Sequence, residues 1–311
     1  ISECLVGSEM CIRDRFFAPL KKAVGYLKLR ASVGLVGNDK NGSDRFIYLP
    51  GKYSYGGSDG YFFGQNVNNK VPGAYEASQS NPNSKWETSL KQNYGIDFNV
   101  LNDRLSFSVD YFIEKRKDIL SRPDYLPSIL GMVLPLVNVG EVENKGYELQ
   151  VKWNDQLNDQ FRYWATFNMS YAKNKIIYKN EVKKNEPWMY ETGRRIGARS
   201  MYKFWGFYDE TADARYQEEF GQPIANHGIT LLPGDAVYVD LNNDGKLDGN
   251  DATRDLGYTD VPEYTAGLSA GFSWGKFDFS MQWTGAWNVD RMLSEFRQPL
   301  GDTQNKGLLL Y

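Results

Sequence analysis

The stretch YGIDFNVLNDRLSFSVDYFI, residues 94–113, decides the fold class. Apolar side chains stand at every second position on both sides of a short polar interruption at residues 101–104. They are Tyr94, Ile96, Phe98 and Val100 before it, and Leu105, Phe107, Val109, Tyr111 and Ile113 after it. A period of two places these side chains on one face of a strand. Two long alternating arms around an Asn-Asp turn therefore predict a β-hairpin.

The same alternation returns along most of the chain. It runs through residues 27–35, 147–153, 161–171, 264–274 and 277–283. These arms are roughly 9 to 14 residues long, whereas soluble strands usually have about five or six. A strand that crosses a bilayer needs about 9–11 residues. Gly275-Lys276, between the last two arms, predicts a type II′ hairpin turn.

The two faces of these arms differ in chemistry. Aromatic residues near the ends of the apolar faces are predicted to form the interfacial girdles of a membrane barrel. They are Tyr94, Trp153, Tyr171, Tyr264, Trp274 and Trp283. The alternate polar residues are predicted to line a water-filled lumen. They are Asp97, Asn99, Asp110, Glu148, Gln150, Lys152, Arg162 and Asn168.

The lengths of the connections separate a membrane barrel from a soluble sandwich. Short links (101–104, 154–160, 274–277) alternate with long polar ones (36–84, 115–140, 181–262). Outer-membrane barrels have short turns at one end and long loops at the other. A soluble sandwich keeps most of its loops short. The pattern favours an all-β, antiparallel transmembrane β-barrel with long extracellular loops.

Composition excludes several classes of function. The net charge is −3 and there is no basic stripe, so a nucleic-acid partner has no electrostatic support. His227 is the only histidine, which removes His-based triads and zinc sites, and it is predicted to be a surface residue. Cys4 and Cys11 are the only cysteines. No GxSxG, P-loop or HExxH motif occurs, and Glu141–Glu143 and Glu218–Glu219 carry no glycosidase signature. We expect no enzymatic activity.

Residues 1–15, ISECLVGSEMCIRDR, match nothing that follows. They lack the charged and apolar regions of a signal peptide. They look like translated read-through of a sequencing adapter, so we expect them to be non-native and the reading frame to be interrupted there. The native part is predicted to be residues 16–311.

A calcium-type loop occupies residues 240–251, DLNNDGKLDGND. Oxygen donors stand at the positions of an EF-hand loop: Asp240, Asn242, Asp244, the Lys246 carbonyl, Asp248 and Asp251. Gly245 occupies the sharp-turn position. Asp251 replaces the usual bidentate Glu, and no helical pattern flanks the loop. The sequence predicts a structural Ca²⁺ site here, and a chain of Asx turns without metal is the alternative.

Several segments together resemble the SusC/RagA family of TonB-linked outer-membrane proteins. They are residues 82–120, 138–153, 233–257 and 261–288, and the resemblance covers nearly everything from about residue 25 onward. The resemblance implies a barrel of about 22 strands closed by an N-terminal plug, of which this chain supplies roughly eight to ten C-terminal strands. No plug, TonB box or final strand is recognisable. The family's gating and energy-coupling residues are therefore not carried over to any position.

The resemblance also implies a function and a location. Such proteins import oligosaccharides or peptides across the outer membrane of Gram-negative bacteria, with energy passed by TonB and with a SusD-like surface lipoprotein as lid. The bilayer would then be a partner of this chain as well. One alternative is a secreted, soluble, Ca-stabilised, carbohydrate-binding β-sandwich. Another is the β-domain of a glycoside hydrolase.

Overall fold

The structure, a computed structural model, describes residues 24–39, 47–49, 52–64, 70–78, 80–122 and 135–291. The segment 1–15 that we expect to be non-native, with Cys4 and Cys11, lies outside the described residues. Within the part of the chain that the structure describes, we find no helix with the length and hydropathy of a transmembrane span.

One antiparallel sheet of seven strands dominates the described chain, which confirms the all-β prediction. Its order is β1-β4-β5-β6-β7-β10-β11. The strands are β1 (Val24–Asn38), β4 (Glu87–Val100), β5 (Leu105–Ser121), β6 (Val137–Asn158), β7 (Phe161–Tyr178), β10 (Tyr264–Trp274) and β11 (Phe277–Trp287). Since β1 and β11 do not pair with each other, the sheet is an open section of wall.

Short turns and long connections alternate along this sheet, as predicted. The turns 101–104, 159–160 and 275–276 lie at one edge, here called the turn edge. Gly275 has a φ of 61°, which a type II′ turn requires at its first central position. The connections 39–86, 122–136 and 179–263 lie at the opposite edge, here called the loop edge.

The long connections contain more structure than their polar sequences predict. A hairpin of β2 (Lys52–Phe62) and β3 (Lys70–Ser78) lies in the first. The third, residues 179–263, is here called the loop unit. It contains β8 (Phe204–Phe207), helix α1 (Ala212–Phe220) and β9 (Ala236–Tyr238), where β8 pairs with β9.

Strand boundaries also differ from the predicted ones. The predicted link 154–160 shrinks to residues 159 and 160, because β6 continues to Asn158 and pairs with β7 throughout. The predicted link 115–140 shrinks in the same way, because β5 reaches Ser121 and β6 begins at Val137. Strand ends that carry polar residues on both faces give no period-two signal, so the sequence alone ends these strands too early.

Most fully buried side chains lie in the loop unit. Ala212 and Tyr216 of α1 and Val237 of β9 have no exposed surface. The wall instead exposes large apolar side chains, such as Trp283 at 50%. Among the described elements in substantial contact, all pairs are hydrogen-bonded neighbours, so no second layer covers the apolar face. This arrangement is not the sandwich considered as the alternative.

Candidate functional site

An unbroken row of aromatic residues crosses the apolar face of the wall near the loop edge. Strand register places each member directly opposite the next on the neighbouring strand. On β1, the position opposite the first member, Tyr94, is occupied by Ala31. The row is Tyr94, Tyr111, Tyr147, Tyr171, Tyr264 and Trp287, here called the aromatic belt. The ring centroids of Tyr171 and Tyr264 are 4.5 Å apart, and those of Tyr147 and Tyr171 are 5.2 Å apart. Such a row is typical of the girdle at a membrane interface.

Below the belt, the same face carries no charge until the turn edge. Along β7 its residues are Met169, Phe167, Ala165, Tyr163 and Phe161, and along β10 they are Ala266, Leu268, Ala270, Phe272 and Trp274. Ten residues separate Tyr171 from Phe161, or about 33 Å of strand. With the usual tilt of about 40°, this corresponds to about 25 Å, the height of the apolar band of an outer-membrane barrel.

The predicted girdle residues fall into three positions. Tyr94, Tyr171 and Tyr264 belong to the aromatic belt, and Trp153 and Trp274 lie at the turn edge. Trp283 does not belong to a girdle, because it lies opposite Leu268 within the band. Tyr111, Tyr147 and Trp287 complete the belt. They were not predicted because only the register of neighbouring strands brings them into line.

The opposite face of the wall is polar and holds a groove. Two neighbouring rows follow from the register: Arg30, Gly95, Asp110, Glu148, Ser170 and Thr265, and then Lys28, Asp97, Ser108, Gln150, Asn168, Gly267 and Thr284. A groove of 680 Å³ lies over these rows. Gln150 donates to Asn168 at 2.8 Å. The predicted lumen residues Asp97, Asp110, Glu148, Gln150 and Asn168 thus share one surface.

Arg30 joins three strands on this polar face. Its guanidinium donates to both carboxylate oxygens of Asp97 at 2.7 and 2.9 Å, and to both oxygens of Asp110 at 2.8 and 2.7 Å. Ser108 donates to Asp97 at 2.6 Å. Gly95 lies beneath this network, where a Cβ would be 2.7 Å from the guanidinium carbon of Arg30. Bidentate pairs of this kind fix geometry as well as contributing energy.

Two further glycines of the polar face are covered by aromatic rings. The ring of Phe112 lies over Gly146, and the ring of Trp164 lies over Gly271 on the adjacent strand. A side chain larger than hydrogen has no room at either glycine. Such pairs let a bulky ring lie flat on the sheet and protect exposed backbone.

The predicted calcium-type loop is closed by hydrogen bonds to its own backbone. Asp240, 2% exposed, accepts from the N–H groups of Asn243 and Gly245 at 2.7 and 2.8 Å. Asp251, fully buried, accepts from Leu241 and Asp248 at 2.8 and 2.9 Å. Gly245 has a φ of 80°, the left-handed conformation expected at the sharp turn.

The remaining donors of the loop form Asx turns. Asn242 accepts from the Asp244 N–H at 3.1 Å and Asp244 from the Lys246 N–H at 2.8 Å. Asp248 accepts from Asn250 and forms a capping box with Asp251. Within the described ranges, no three His, Cys, Asp or Glu side chains converge on a point that could hold a metal ion. The oxygen-rich donor set suits Ca²⁺, but this arrangement directs it to backbone N–H groups.

Two carboxylates, Glu181 and Glu263, join separate segments of the loop unit by hydrogen bonds. Burial disfavours the charged form of Glu181, but N–H groups of Glu191 and Thr192 and the Thr192 hydroxyl donate to it at 2.6 to 2.9 Å and hold its pKa below the usual 4.5. Glu263 immediately precedes β10, and burial disfavours the charged form of its carboxylate in the same way. Hydrogen bonds from Arg195 and Asn288 lower its pKa.

His227 is more than a surface residue, contrary to the sequence prediction. Its Nε2 accepts from the backbone N–H of Tyr238 at 3.1 Å, and its Nδ1 lies 2.7 Å from the carbonyl oxygen of Ala225. The ring is half-buried and bridges two segments of the loop unit. Nothing in the flanking sequence, Ala-Asn-His-Gly, signals this bridge.

A polar-faced wall whose other face is a charge-free band bounded by aromatic residues is a section of a membrane-spanning β-barrel. The profile of the family described as "TonB dependent receptor-like, beta-barrel" matches residues 48–292. The chain belongs to this family, and its relatives place it with the SusC/RagA type.

Curated relatives agree with this assignment. The chain is 28% identical to TonB-dependent receptor P39 of Formosa agariphila over 290 residues, which are 83% of this chain and 27% of that protein. It is 25% identical to TonB-dependent receptor SusC of Bacteroides thetaiotaomicron over 292 residues, which are 86% of this chain and 26% of that protein. The chain thus spans about a quarter of the length of these curated relatives. Both are named as receptors and not as enzymes.

Solved structures agree with the fold. The RagAB peptide importer in the "open-open" state has a TM-score of 0.61 and 18% identity, and the match covers 86% of this chain and 26% of that chain. In the "closed-closed" state the values are 0.60 and 20%, with 88% and 28% covered. At this level of identity the likeness supports the architecture alone.

Proposed function

We propose that this chain forms part of the wall of a nutrient importer in the outer membrane of a Gram-negative bacterium. The importer takes up oligosaccharides or peptides, draws energy from TonB and works with a SusD-like surface lipoprotein. The observation that carries the proposal is the charge-free band between the aromatic belt and the turn edge, with two continuous polar rows on the other face. Such a wall separates lipid from an aqueous channel.

In this role the wall supplies a passive polar surface. Hydroxyl, amide and carboxylate groups, among them Gln150, Asn168, Ser170 and Thr265, stand along the 680 Å³ groove. They can exchange hydrogen bonds with the hydroxyl groups of a sugar or the amides of a peptide. Ser170 and Thr265 already share a hydrogen bond of 3.1 Å across β7 and β10.

The substrate class and the lipoprotein partner are inferred from relatives. One relative carries the name SusC, and one structural neighbour is described as the RagAB peptide importer. The loop unit, with its own buried core and its position at the loop edge, would stand outside the membrane. It would there contact substrate or lid.

Location and barrel closure are tested first on the full-length gene that contains this segment, expressed with its own leader. Membranes are fractionated and the protein is run on gels with and without boiling. We expect outer-membrane location and a mobility that changes on heating, because closed barrels resist detergent until heated. A protein that stays in the soluble fraction with no mobility change would refute the proposal.

Substrate and partner are tested next in a deletion strain. We expect loss of growth on particular oligosaccharides or peptides, restored by the intact gene but not by a version that lacks the TonB-contacting segment. A tagged receptor should co-purify with a surface lipoprotein. Normal growth of the deletion strain on every oligosaccharide and peptide supplied would contradict the import role.

A further inference from the structure

The apolar face changes character just beyond the aromatic belt, on the side of the loop edge. Two residues past Tyr147 stands Lys145, and two residues past Tyr171 stands Lys173. Five exposed lysines occupy this margin on β5, β6 and β7, here called the lysine patch: Lys115, Lys117, Lys145, Lys173 and Lys175. All five share the outward face with the belt, because each lies an even number of residues from a belt residue on its own strand.

The patch has more positive charge than its own carboxylates balance. Glu143 forms ion pairs with both Lys145, at 2.7 Å, and Lys115, at 3.9 Å. Glu141 lies 3.7 Å from Lys117. On the outward face of these three strands, five lysines and two glutamates leave a net charge of +3. Glu263, whose pKa Lys173 helps to lower, is ion-paired with Arg195.

Two of the lysines oppose each other in the sheet. Lys145 and Lys173 are directly paired across β6 and β7. Like charges in this position are roughly 5 Å apart at Cβ and destabilise a sheet unless an anion lies between them. Lys175 in turn lies opposite Glu143, which is already held by Lys145. This arrangement fits an external anionic ligand better than an internal network of ion pairs.

The depth of the patch indicates which anion. Lys145 and Lys173 lie two residues, or about 5 Å, past the belt, where lipid headgroups begin. Lys115, Lys175 and Lys117 lie four to six residues, or about 10 to 15 Å, past it. The same face at the turn edge carries instead the pair of Arg104 and Asp155, 3.2 Å apart, with no net charge. On this part of the wall, excess positive charge therefore faces only the leaflet at the loop edge. The patch spans three strands, or about 10 Å.

We propose that the lysine patch binds the phosphate groups of a lipid headgroup in the leaflet around the loop edge. A glycolipid whose headgroup carries two phosphates fits a patch of this width, and lysine ammonium groups bind phosphate as point charges. The inference rests on the proposed function in that the wall must span the membrane with its loop edge outside. The bound lipid anchors the barrel at a fixed depth.

The test uses the full-length receptor, purified in a neutral detergent. Binding of a purified bis-phosphorylated glycolipid is measured by native mass spectrometry, with the same glycolipid after phosphate removal as a second probe. The triple variant Lys145→Gln, Lys173→Gln, Lys175→Gln is compared with the parent. The matched control is Lys28→Gln, Lys91→Gln, Lys152→Gln, which removes the same charge from exposed lysines of the polar face.

We expect the patch variant to bind the phosphorylated glycolipid at least about tenfold more weakly than the parent, and the control to bind like the parent. The dephosphorylated glycolipid should bind all three equally weakly. If the patch variant does not assemble a heat-modifiable barrel, the Lys→Arg triple serves instead and should retain binding. Equal affinity of parent and patch variant in assembled barrels overturns this inference and leaves the proposed function standing. A parent receptor that forms no barrel overturns both.

Discussion

At the scale of single residues, Gly95 of β4 lies beneath the guanidinium of Arg30, which joins β1 to β4 and β5 by hydrogen bonds. A Cβ at Gly95 would lie 2.6 Å from Oδ1 of Asp110 and 2.7 Å from the guanidinium carbon of Arg30. These atoms belong to two side chains that are joined by short, charge-assisted hydrogen bonds from the Arg30 nitrogens to the Asp110 carboxylate, and a Cβ would displace them. The absence of a Cβ at Gly95 therefore leaves space for the Arg30 network that joins β1, β4 and β5.

We predict that Gly95→Ala lowers the free energy of unfolding by about 2 kcal/mol, since it displaces hydrogen bonds to charged groups. Urea unfolding of the full-length receptor in lipid vesicles measures the effect. The matched control is Gly34→Ala, on the neighbouring strand β1, where a Cβ meets nothing within 4 Å. This control should be neutral or slightly stabilising, because alanine loses less backbone entropy than glycine. Equal effects of the two substitutions would show that the arginine network does not depend on Gly95.

The Ca²⁺ hypothesis for the loop 240–251 also depends on the orientation of a few individual side chains. The loop 240–251 buries Asp240 and Asp251 on backbone N–H groups and leaves Asp244 exposed, bonded to Lys246 and Asn242. To hold Ca²⁺, the oxygens of Asp240, Asn242 and Asp244 have to turn toward a common centre. Carboxylate oxygens keep further lone pairs after accepting one N–H, so this change does not require the loop to unfold.

We predict that Ca²⁺ raises the thermal unfolding midpoint of the parent receptor and slows proteolysis of the loop unit, and that Asp244→Ala abolishes both effects. Asp213→Ala, which changes an exposed carboxylate of the same unit outside the loop, should respond to Ca²⁺ like the parent. The same concentration of Mg²⁺ serves as a second comparison. If parent and Asp244→Ala respond equally, the metal hypothesis is removed and the Asx-turn alternative stands.

At the scale of elements, an ionised carboxylate joins two segments of the loop unit. Glu181 is ionised in the folded protein at a pH below its usual pKa of 4.5, because N–H and hydroxyl donors of residues 191 and 192 favour the charged form. A folded-state pKa that is lowered adds stability above the unfolded-state pKa. That contribution disappears as the pH falls through the folded-state pKa.

We predict that protection of the amides of residues 190–193 from hydrogen exchange is lost as the pH falls below about 4.5. Glu181→Gln should lower this protection at neutral pH, because an amide oxygen is a weaker acceptor, and should remove most of its pH dependence. Glu210→Gln, an exposed position of the same unit, is the control and should behave like the parent. Exchange that follows the same pH course in the parent and in Glu181→Gln would contradict the assigned role.

Sequence alone predicts those elements whose two faces differ. The hairpin around residues 101–104 and the β10–β11 hairpin were predicted because an apolar face alternates with a polar one. The sequence does not predict the last residues of β6, around Asn154 and Gln156, as strand, because polar residues occupy both faces there. Helix α1 has Thr211 before it and Gly221 in the left-handed conformation after it. These are ordinary helix boundary signals, but they were hidden in a polar stretch.

The candidate site also contains residues that a single strand predicts and residues that only the pairing of strands reveals. The lumen-facing residues follow from parity on single strands, so Gln150 and Asn168 were predicted to share a surface and their hydrogen bond confirms it. The aromatic belt and the lysine patch require knowledge of which residue faces which across neighbouring strands. The pairing of Tyr111 with Tyr147, or of Lys145 with Lys173, depends on register, and one sequence does not reveal register.

At the scale of the whole molecule, the described chain contains two kinds of structure. The loop unit buries Tyr216, Val237 and Asp251 completely, as a small water-soluble body does. The wall has no comparable core, because its apolar face is matched to lipid and its polar face to water. The open sheet therefore requires both the bilayer and the neighbouring strands of the receptor, since unpaired strand edges are not tolerated in a membrane.

The assignment of the two faces can be tested with adjacent residues of one strand. Phe167 lies at the middle of the charge-free band of β7, and Asn168 is the next residue, on the polar face over the groove. If the wall is oriented as proposed, Phe167→Arg places a cation at the bilayer midplane and costs about 2–4 kcal/mol. Asn168→Arg places the same cation in the lumen, beside Gln150 and near Glu148, where water and carboxylates solvate it.

We therefore predict that Phe167→Arg shifts the urea midpoint of folding into vesicles downward and lowers the yield of heat-modifiable barrel, whereas Asn168→Arg changes neither. Phe167→Leu, which keeps the position apolar, controls for the loss of the ring and should fold nearly as well as the parent. The comparison does not depend on substrate, TonB or lipoprotein, so it examines the wall alone. If Asn168→Arg is the damaging substitution and Phe167→Arg is harmless, the two faces are assigned the wrong way round. Equal tolerance of both would mean that neither face meets lipid.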